Sequence, residues 1–219
     1  DEADRMLDMG FRDDIDYILT RVPRPRQLSL FSATIDSQAI EISHRYMTSP
    51  EKILVSKDEI ALPQITQLYT VVNPKDKFDV LRRLIETEDV NRAIIFCATR
   101  HGTARLSRDL QHCGFNAEAL HADLTQAQRE GIIEAFRRRK IHLLIATDVA
   151  ARGLDIEGIT HIINYDVPFD ALMYFHSIGR TARVGKDGTA ITLVSYGELS
   201  DFEKIQSLTK TTITEIEVE

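Results

Sequence analysis

Tryptophan is absent from the 219 residues, and cysteine occurs only at Cys97 and Cys113. Two cysteines cannot staple a chain of this length, and disulfide frameworks belong to small secreted domains, so a reducing, cytoplasmic setting is expected. Neither cysteine has metal-ligating partners at usable spacing and the seven histidines are scattered, which argues against a metal centre built from side chains alone. No apolar run approaches the ~20 residues of a membrane span, so no membrane partner is expected. Lysine and arginine number 27 against 34 aspartates and glutamates, a net charge of −7. A uniformly basic nucleic-acid coat is thereby excluded, and any nucleic-acid contact must come from a local gathering of arginines. Internal repeats and low-complexity tracts are also missing.

The composition is that of an ordinary globular protein, 43% hydrophobic and 28% charged, with length enough for one or two cores. The chain starts at Asp1, without a methionine, on the acidic run DEAD, and is read as a piece of a longer protein. Apolar spacing predicts one helix from Asp4 to Arg21, stopped by Pro23 and Pro25. A strand follows at Gln27–Phe31, then a helix that Asp36 can cap and that carries Ile40, Ile42 and Tyr46, then a strand at Lys52–Val55. The charged, proline-ended stretch between Ser56 and Gln64 has the character of a linker.

From about Gln64 onward strands alternate with helices: TQLYTVV, a helix over Lys75–Glu88, AIIFCA, a helix over His101–His112, FNAEAL, a helix after Thr125, LLIAT, HIINY and AITLV. Several runs are apolar on both faces, as strands of a helix-covered parallel sheet must be. The expected fold class is α/β, a doubly wound parallel sheet. Thr125 and Gln128 stand at capping-box spacing, with Ile132, Ile133 and Phe136 turned inward. The tail TTITEIEVE reads as an edge strand or an extended segment.

Ligands of open parallel sheets gather at the carboxyl ends of the strands. There the sequence places Ser32, Ala33 and Thr34 after LSLF, Thr99 to Gly102 after AIIFC, and Thr147 and Asp148 after LLIA, with Arg152, Gly153 and Asp155 close behind. Small and hydroxylic residues with arginine nearby suit phosphate oxygens. Asp1 and Glu2 can hold Mg²⁺ through water and activate a hydrolytic water, or form a solvated acidic turn. HSIGRTARVGKDG is sharper: Arg180 and Arg183 at i, i+3 are expected to project from one side of a helical turn and grip a polyphosphate, a role worth roughly 10³ to 10⁵ in rate. Asp155 can accept from a ribose hydroxyl, or serve as a cap or turn residue. The basic run Arg137 to Lys140 closes a helix, whose carboxyl end favours cations in any case.

Taken in order, DEAD, SAT (Ser32 to Thr34), IIFCATR, QAQR (Gln126 to Arg129), TDVAARGLDI and HSIGRTARVG resemble the motif series of the DEAD-box ATP-dependent RNA helicases, in order and spacing, across nearly the whole chain. The resemblance implies two RecA-like lobes with ATP between them and RNA across both. Residues 1–55 would be the end of lobe one, 56–64 a linker, and 65–219 the second RecA-like lobe. Asp1 and Glu2 would serve Mg²⁺ and the attacking water, with Glu2 as base. Asp4, Ser32, Thr34, Arg152 and His176 would couple the lobes. Asp155 and Gly153 would meet ATP, with Arg180 and Arg183 reaching its γ-phosphate. Arg100, Gly102, Gln126, Arg129, Thr147 and Gly153 would meet the backbone of single-stranded or short duplex RNA, without strong sequence preference. Ser177 stands where the family usually has Arg, and Ala122 where it usually has Gly. The chain holds no G-x-x-x-x-G-K-[ST] phosphate loop, so by itself it is expected not to hydrolyse ATP, and the truncated first lobe is expected to leave apolar faces that self-associate. Two alternatives stay open: a non-enzymatic RecA-like module binding RNA or protein, and a DNA-directed helicase of the same superfamily.

Overall fold

A break in helical backbone at Gly10 sets the character of the first of two units, Asp1–Lys57 and Asp58–Glu219, in the computed structural model. The structure describes residues 1–32, 37–53, 65–88, 90–154, 156–182, 187–209 and 212–218. The expected single helix over 4–21 is two, α1 (Ala3–Asp8) and α2 (Arg12–Arg21). Gly10 at φ +81° ends α1: its N–H donates to the Leu7 carbonyl at 2.9 Å and the Phe11 N–H to the Met6 carbonyl at 3.1 Å. That bond pair is a Schellman cap, and it reverses the chain before α2.

Helix α3 (Ser37–Tyr46) closes this unit on a small core of Leu7, Ala39 and Ile42, with Ile15, Leu19, Leu30 and Tyr46 packed against it. Ile40 on the same helix is exposed. Asp36 lies outside the described residues. The strand expected at Gln27–Phe31 is not formed, and residues 52–53 of the expected Lys52–Val55 strand are likewise in no strand. An apolar run becomes a strand only where another strand takes up its N–H and C=O groups, and among the described residues this unit offers none.

The second unit is a sheet of seven described strands, all paired in parallel: β1 (Ile65–Val72), β2 (Ala93–Phe96), β3 (Ala117–Leu120), β4 (Leu143–Ala146), β5 (His161–Asn164), β6 (Gly188–Ser195) and β7 (Thr214–Glu215). Their order is β3-β4-β2-β5-β6-β1-β7. Between them run α4 (Lys77–Thr87), α5 (Arg100–His112), α6 (Gln126–Arg137), α7 (Asp148–Ala151), α8 (Ala171–Ile178) and α9 (Leu199–Leu208). Successive strand residues serve opposite faces: Ile94, Leu144 and Ile162 pack with Phe136 of α6, Tyr174 and Ile178 of α8 and Phe202 of α9. Ile95, Ile145 and Ile163 pack with Leu81 and Leu84 of α4 and Leu106 and Leu110 of α5. Helices therefore cover both faces, which is why the strand runs carry no polar alternation. Burial of each large side chain stabilises by about 1.5–3 kcal/mol. The tail contributes only the two-residue β7, which meets β1 at Leu68 and Tyr69. The linker expected at 56–64 lies outside the described residues.

Candidate functional site

In the first unit the acidic run is stitched to the Phe31–Ser32 segment. The Asp4 N–H donates to Ser32 Oγ at 3.0 Å and the Ala3 N–H to the Phe31 carbonyl at 3.0 Å. Asp4 is 2% exposed, whereas Asp1 is exposed and its Oδ1 accepts from the Glu2 N–H at 2.9 Å. Glu2 holds a left-handed φ of +51°. Thr34 lies outside the described residues. Mg²⁺ keeps several waters and takes one or two carboxylates beside substrate phosphates, a demand that the exposed Asp1 carboxylate with Glu2 beside it can meet. Among the described residues no three ligating side chains cluster, so such an ion would depend on water and phosphate oxygens.

In the second unit, residues scattered over fifty positions of sequence come to the carboxyl ends of the adjacent strands β3, β4 and β2. Thr99 caps α5, its Oγ1 accepting from the Gly102 N–H at 3.0 Å. A Cβ on Gly102 would stand 2.9 Å from that oxygen, so the tight turn needs glycine. Arg100 pairs with Asp123, tying the β2 end to the loop after β3, both side chains half exposed. The capping box is formed: Gln128 N–H donates to Thr125 Oγ1 and Thr125 N–H to Gln128 Oε1. Gln126 Nε2 donates to Glu130 at 2.7 Å. Arg129 is half-buried with its Nε unpartnered among the described residues. Thr147 caps α7 and donates its N–H to the Leu120 carbonyl at 3.3 Å. Arg152 bonds Asp148 at 3.4 Å, and Gly153 turns the chain at φ +67°.

Of the two motif arginines expected on one side of a helical turn, the structure describes Arg180. Helix α8 ends at Ile178, where Gly179 caps it, so Arg180 stands in a turn beyond the helix and not on it. Its Nη1 donates to the Leu154 carbonyl at 3.3 Å, which brings it beside the Gly153 turn. Arg183 and Asp155 lie outside the described residues. His176 is half-buried on α8, while Ser177 is buried and donates to the Tyr174 carbonyl at 2.8 Å. The basic run does close α6: Arg137 and Arg138 both pair with Glu134, whose carboxyl their hydrogen bonds hold below the usual range.

A cleft of about 740 Å³ opens at the carboxyl ends of β2, β4 and β5, between Thr147 and Asp148 on one side and α8 and α9 on the other. Beside it lies a group that no sequence pattern announced. Lys77, with its side chain 7% exposed, pairs with Asp166 at 3.3 Å and Glu198 at 3.2 Å and lies over the Tyr165 ring. Asp166 in turn accepts the Ala98 N–H at 2.8 Å, so this ion triad fixes the loop that leaves β2. Burial raises the Glu198 pKa, but hydrogen bonds from Ser195 and the charge of Lys77 outweigh it and hold the carboxyl low. Burial, then the charge of Asp166, pushes the Cys97 thiol far up, so Cys97 is a packing residue and not a nucleophile. A lysine at the start of a helix reads as a solvated cation, and only the fold reveals the two carboxylates.

Residues 76–185 match the helicase conserved C-terminal domain and residues 1–42 the DEAD/DEAH box helicase domain. The chain is 48% identical over 210 residues to the ATP-dependent RNA helicase CshA of Listeria monocytogenes, covering 96% of this chain and 40% of that protein. It is 45% identical over 210 residues to the DEAD-box ATP-dependent RNA helicase CshA of Bacillus subtilis, covering 42% of it. The chain thus spans about two fifths of the length of these relatives. Among solved structures, Dbp5 of S. cerevisiae bound to RNA and ADP BeF3 matches with a TM-score of 0.88 at 33% identity, over 98% of this chain and 57% of that one. The DEAD-box protein SrmB of E. coli, bound to the regulator of ribonuclease activity A, matches at 0.67 and 32% identity, over 70% of this chain and 91% of that one. With both helicase domains matched over ranges that hold the DEAD, SAT and later motifs, the chain belongs to the DEAD-box helicase family.

Proposed function

We propose that this chain works as part of an ATP-dependent RNA helicase, in which ATP binding and hydrolysis drive separation of short RNA duplexes or remodelling of RNA–protein complexes. In that reading residues 1–55 belong to a first RecA-like lobe, 56–64 join the lobes, and 65–219 form the second. Asp1 and Glu2 serve the Mg²⁺-bound nucleotide and the attacking water. Arg180 and Arg183 reach the γ-phosphate, Asp155 and Gly153 meet the rest of ATP, and Asp4, Ser32, Thr34, Arg152 and His176 couple the lobes. RNA phosphates meet Arg100, Gly102, Gln126, Arg129, Thr147 and Gly153 without strong sequence preference. The exposed Tyr17, Ile18, Phe31 and Ile53 support self-association of the first unit when it is expressed in this form. The setting that suits this work is the cytoplasm.

The observation that carries the reading is the convergence of Arg100, Gly102, Gln126, Arg129 and Thr147 at three adjacent strand ends, β3-β4-β2. Two capped helices start there, with N–H groups and cations on one edge, an arrangement suited to a phosphodiester backbone. About 4 to 6 phosphate contacts give a log–log salt slope of roughly −3 to −4 on single-stranded RNA. Fluorescence anisotropy of a labelled oligonucleotide tests it: Arg129→Ala weakens binding across unrelated sequences and shallows the slope by about 0.7. Salt-independent binding, or a strong preference for one sequence, contradicts the reading.

A further inference from the structure

At the opposite, amino edge of the sheet a polar cleft of about 520 Å³ runs beneath β4, β2, β5 and β6, and its walls carry Arg92, Arg139, His142 and Arg180. Among the described residues, the one acidic side chain on its walls is Asp187. Arg92 is 5% exposed: one of its Nη atoms donates to the Glu157 carbonyl at 2.6 Å, the other to the Phe136 carbonyl, and its Nε has no partner among the described residues. The two carbonyl oxygens and the Phe136 ring, whose centroid lies 4.4 Å from the guanidinium carbon, compensate this buried cation, and no described carboxylate forms an ion pair with it.

Arg139 makes the crowding worse. It occupies the left-handed position that closes α6, φ +58°, with its N–H donating to the Phe136 carbonyl at 3.1 Å and the Lys140 N–H to the Ala135 carbonyl at 2.9 Å. This is the seat glycine normally takes in a Schellman cap. From it the Arg139 side chain reaches Gly158: a Cβ built there would lie 3.3 Å from Arg139 Nη2 and 3.6 Å from Arg92 Nη1. Two guanidinium groups therefore close over one glycine, and burial followed by the Arg139 charge lowers the Arg92 pKa. Two guanidinium groups crowded beside a cleft mark a place where an anion would relieve their like-charge repulsion.

We propose that this cleft is a second anion site, binding a small phosphate-bearing anion such as phosphate or pyrophosphate through Arg139 and His142 over the buried Arg92, with Arg180 on its wall. The assignment stands apart from the helicase reading except that Arg180 enters both. Its location is the edge away from the strand ends assigned to RNA, and its volume exceeds what one phosphate group fills.

Pyrophosphate titrated into the 219-residue chain at constant ionic strength, balanced with chloride and followed by calorimetry and amide chemical shifts, tests the site. Saturable binding is expected, with shifts centred on Asn91, Arg92, Arg139 and Gly158. Arg139→Gly keeps the backbone its φ demands while removing the charge, and weakens binding about tenfold or more, whereas Arg139→Lys stays within a few-fold of wild type. The proposal is overturned if pyrophosphate gives no more than chloride does, or if Arg139→Gly binds as tightly as wild type. It is equally overturned if Arg180→Ala alone abolishes binding while Arg139→Gly leaves it intact, or if single-stranded RNA displaces the anion at equal phosphate concentration.

Discussion

Replacing Lys77 by methionine isolates the contribution of the ion triad at the mouth of the sheet. Each pair, at 3.2–3.3 Å, has a gross attraction of about 5 kcal/mol at an effective dielectric constant of ~20, most of it offset by dehydration of the ammonium group. Breaking a fully buried pair costs about 3–5 kcal/mol. Here Asp166 and Glu198 are 30% and 31% exposed and keep backbone donors, from Ala98 at 2.8 Å and from Ser195 at 3.0 Å. The expected loss is therefore lower, roughly 2–3 kcal/mol, or a fall of about 4–12 °C in the melting temperature of the second unit. Urea unfolding followed by circular dichroism measures it. In an Asp166→Asn, Glu198→Gln background the same substitution should cost less than ~1 kcal/mol, because no buried carboxylate is then stranded.

The triad also has a pH signature. The Glu198 pKa is depressed in the folded chain, so its stabilisation is full above the unfolded value of ~4.3 and is lost as pH falls through the folded value. Lys77→Met should remove part of that acid limb, the Ser195 hydrogen bonds keeping the rest. A loss below about 0.5 kcal/mol, or an equal loss in the neutralised background, would refute the assignment of Lys77 as the organiser of the β2 exit.

Other outcomes follow from single positions. Gly188→Ala would drive a Cβ to 2.3 Å from Thr181 Oγ1 and 2.8 Å from the Ala182 nitrogen, against a threonine anchored at 2.7 Å on the Ile159 carbonyl. Urea titration should show about 1–3 kcal/mol of destabilisation, and a change under about 0.5 kcal/mol would contradict the packing. Arg139→Gly should leave stability unchanged or raise it by up to ~1 kcal/mol, since relief of the left-handed backbone offsets the added freedom of the unfolded chain. A clear drop in melting temperature would mean that the Arg139 side chain stabilises the fold. Malachite-green assay of the 219-residue chain with ATP, Mg²⁺ and RNA should give no phosphate release above a Glu2→Gln control, because no phosphate loop is present in it.

Residue patterns disclosed most of the second unit because its strands are apolar on both faces and its helices carry clear start signals. AIIF, LLIA and HIIN became β2, β4 and β5, and Thr125 formed its box with Gln128. The first unit was less legible. Apolar spacing runs on through Gly10, and only its positive φ breaks the helix. LSLF has strand composition, but among the described residues no strand pairs with it. Arg180 and Arg183 have the spacing of a helical turn, yet Gly179 ends α8 before Arg180. The burial of Lys77 and Arg92 left no mark on the sequence, since a lone cation reads the same whether its partners are water, distant carbonyls or carboxylates. The placement of Thr99, Gly102 and Thr147 after the strand ends was readable because they follow directly on the apolar runs. The Arg92–Arg139 cleft was not, because its residues meet only through the sheet order.

Steady-state ATP hydrolysis by the full-length gene product, with and without RNA, beside its Arg180→Ala variant, tests the central claim most directly. RNA should accelerate turnover, and the variant should lose about 10³-fold or more of that rate while binding RNA without nucleotide nearly as tightly as wild type. Full RNA-stimulated turnover in Arg180→Ala would contradict the account, and so would an active-site-intact protein that hydrolyses no ATP with any RNA.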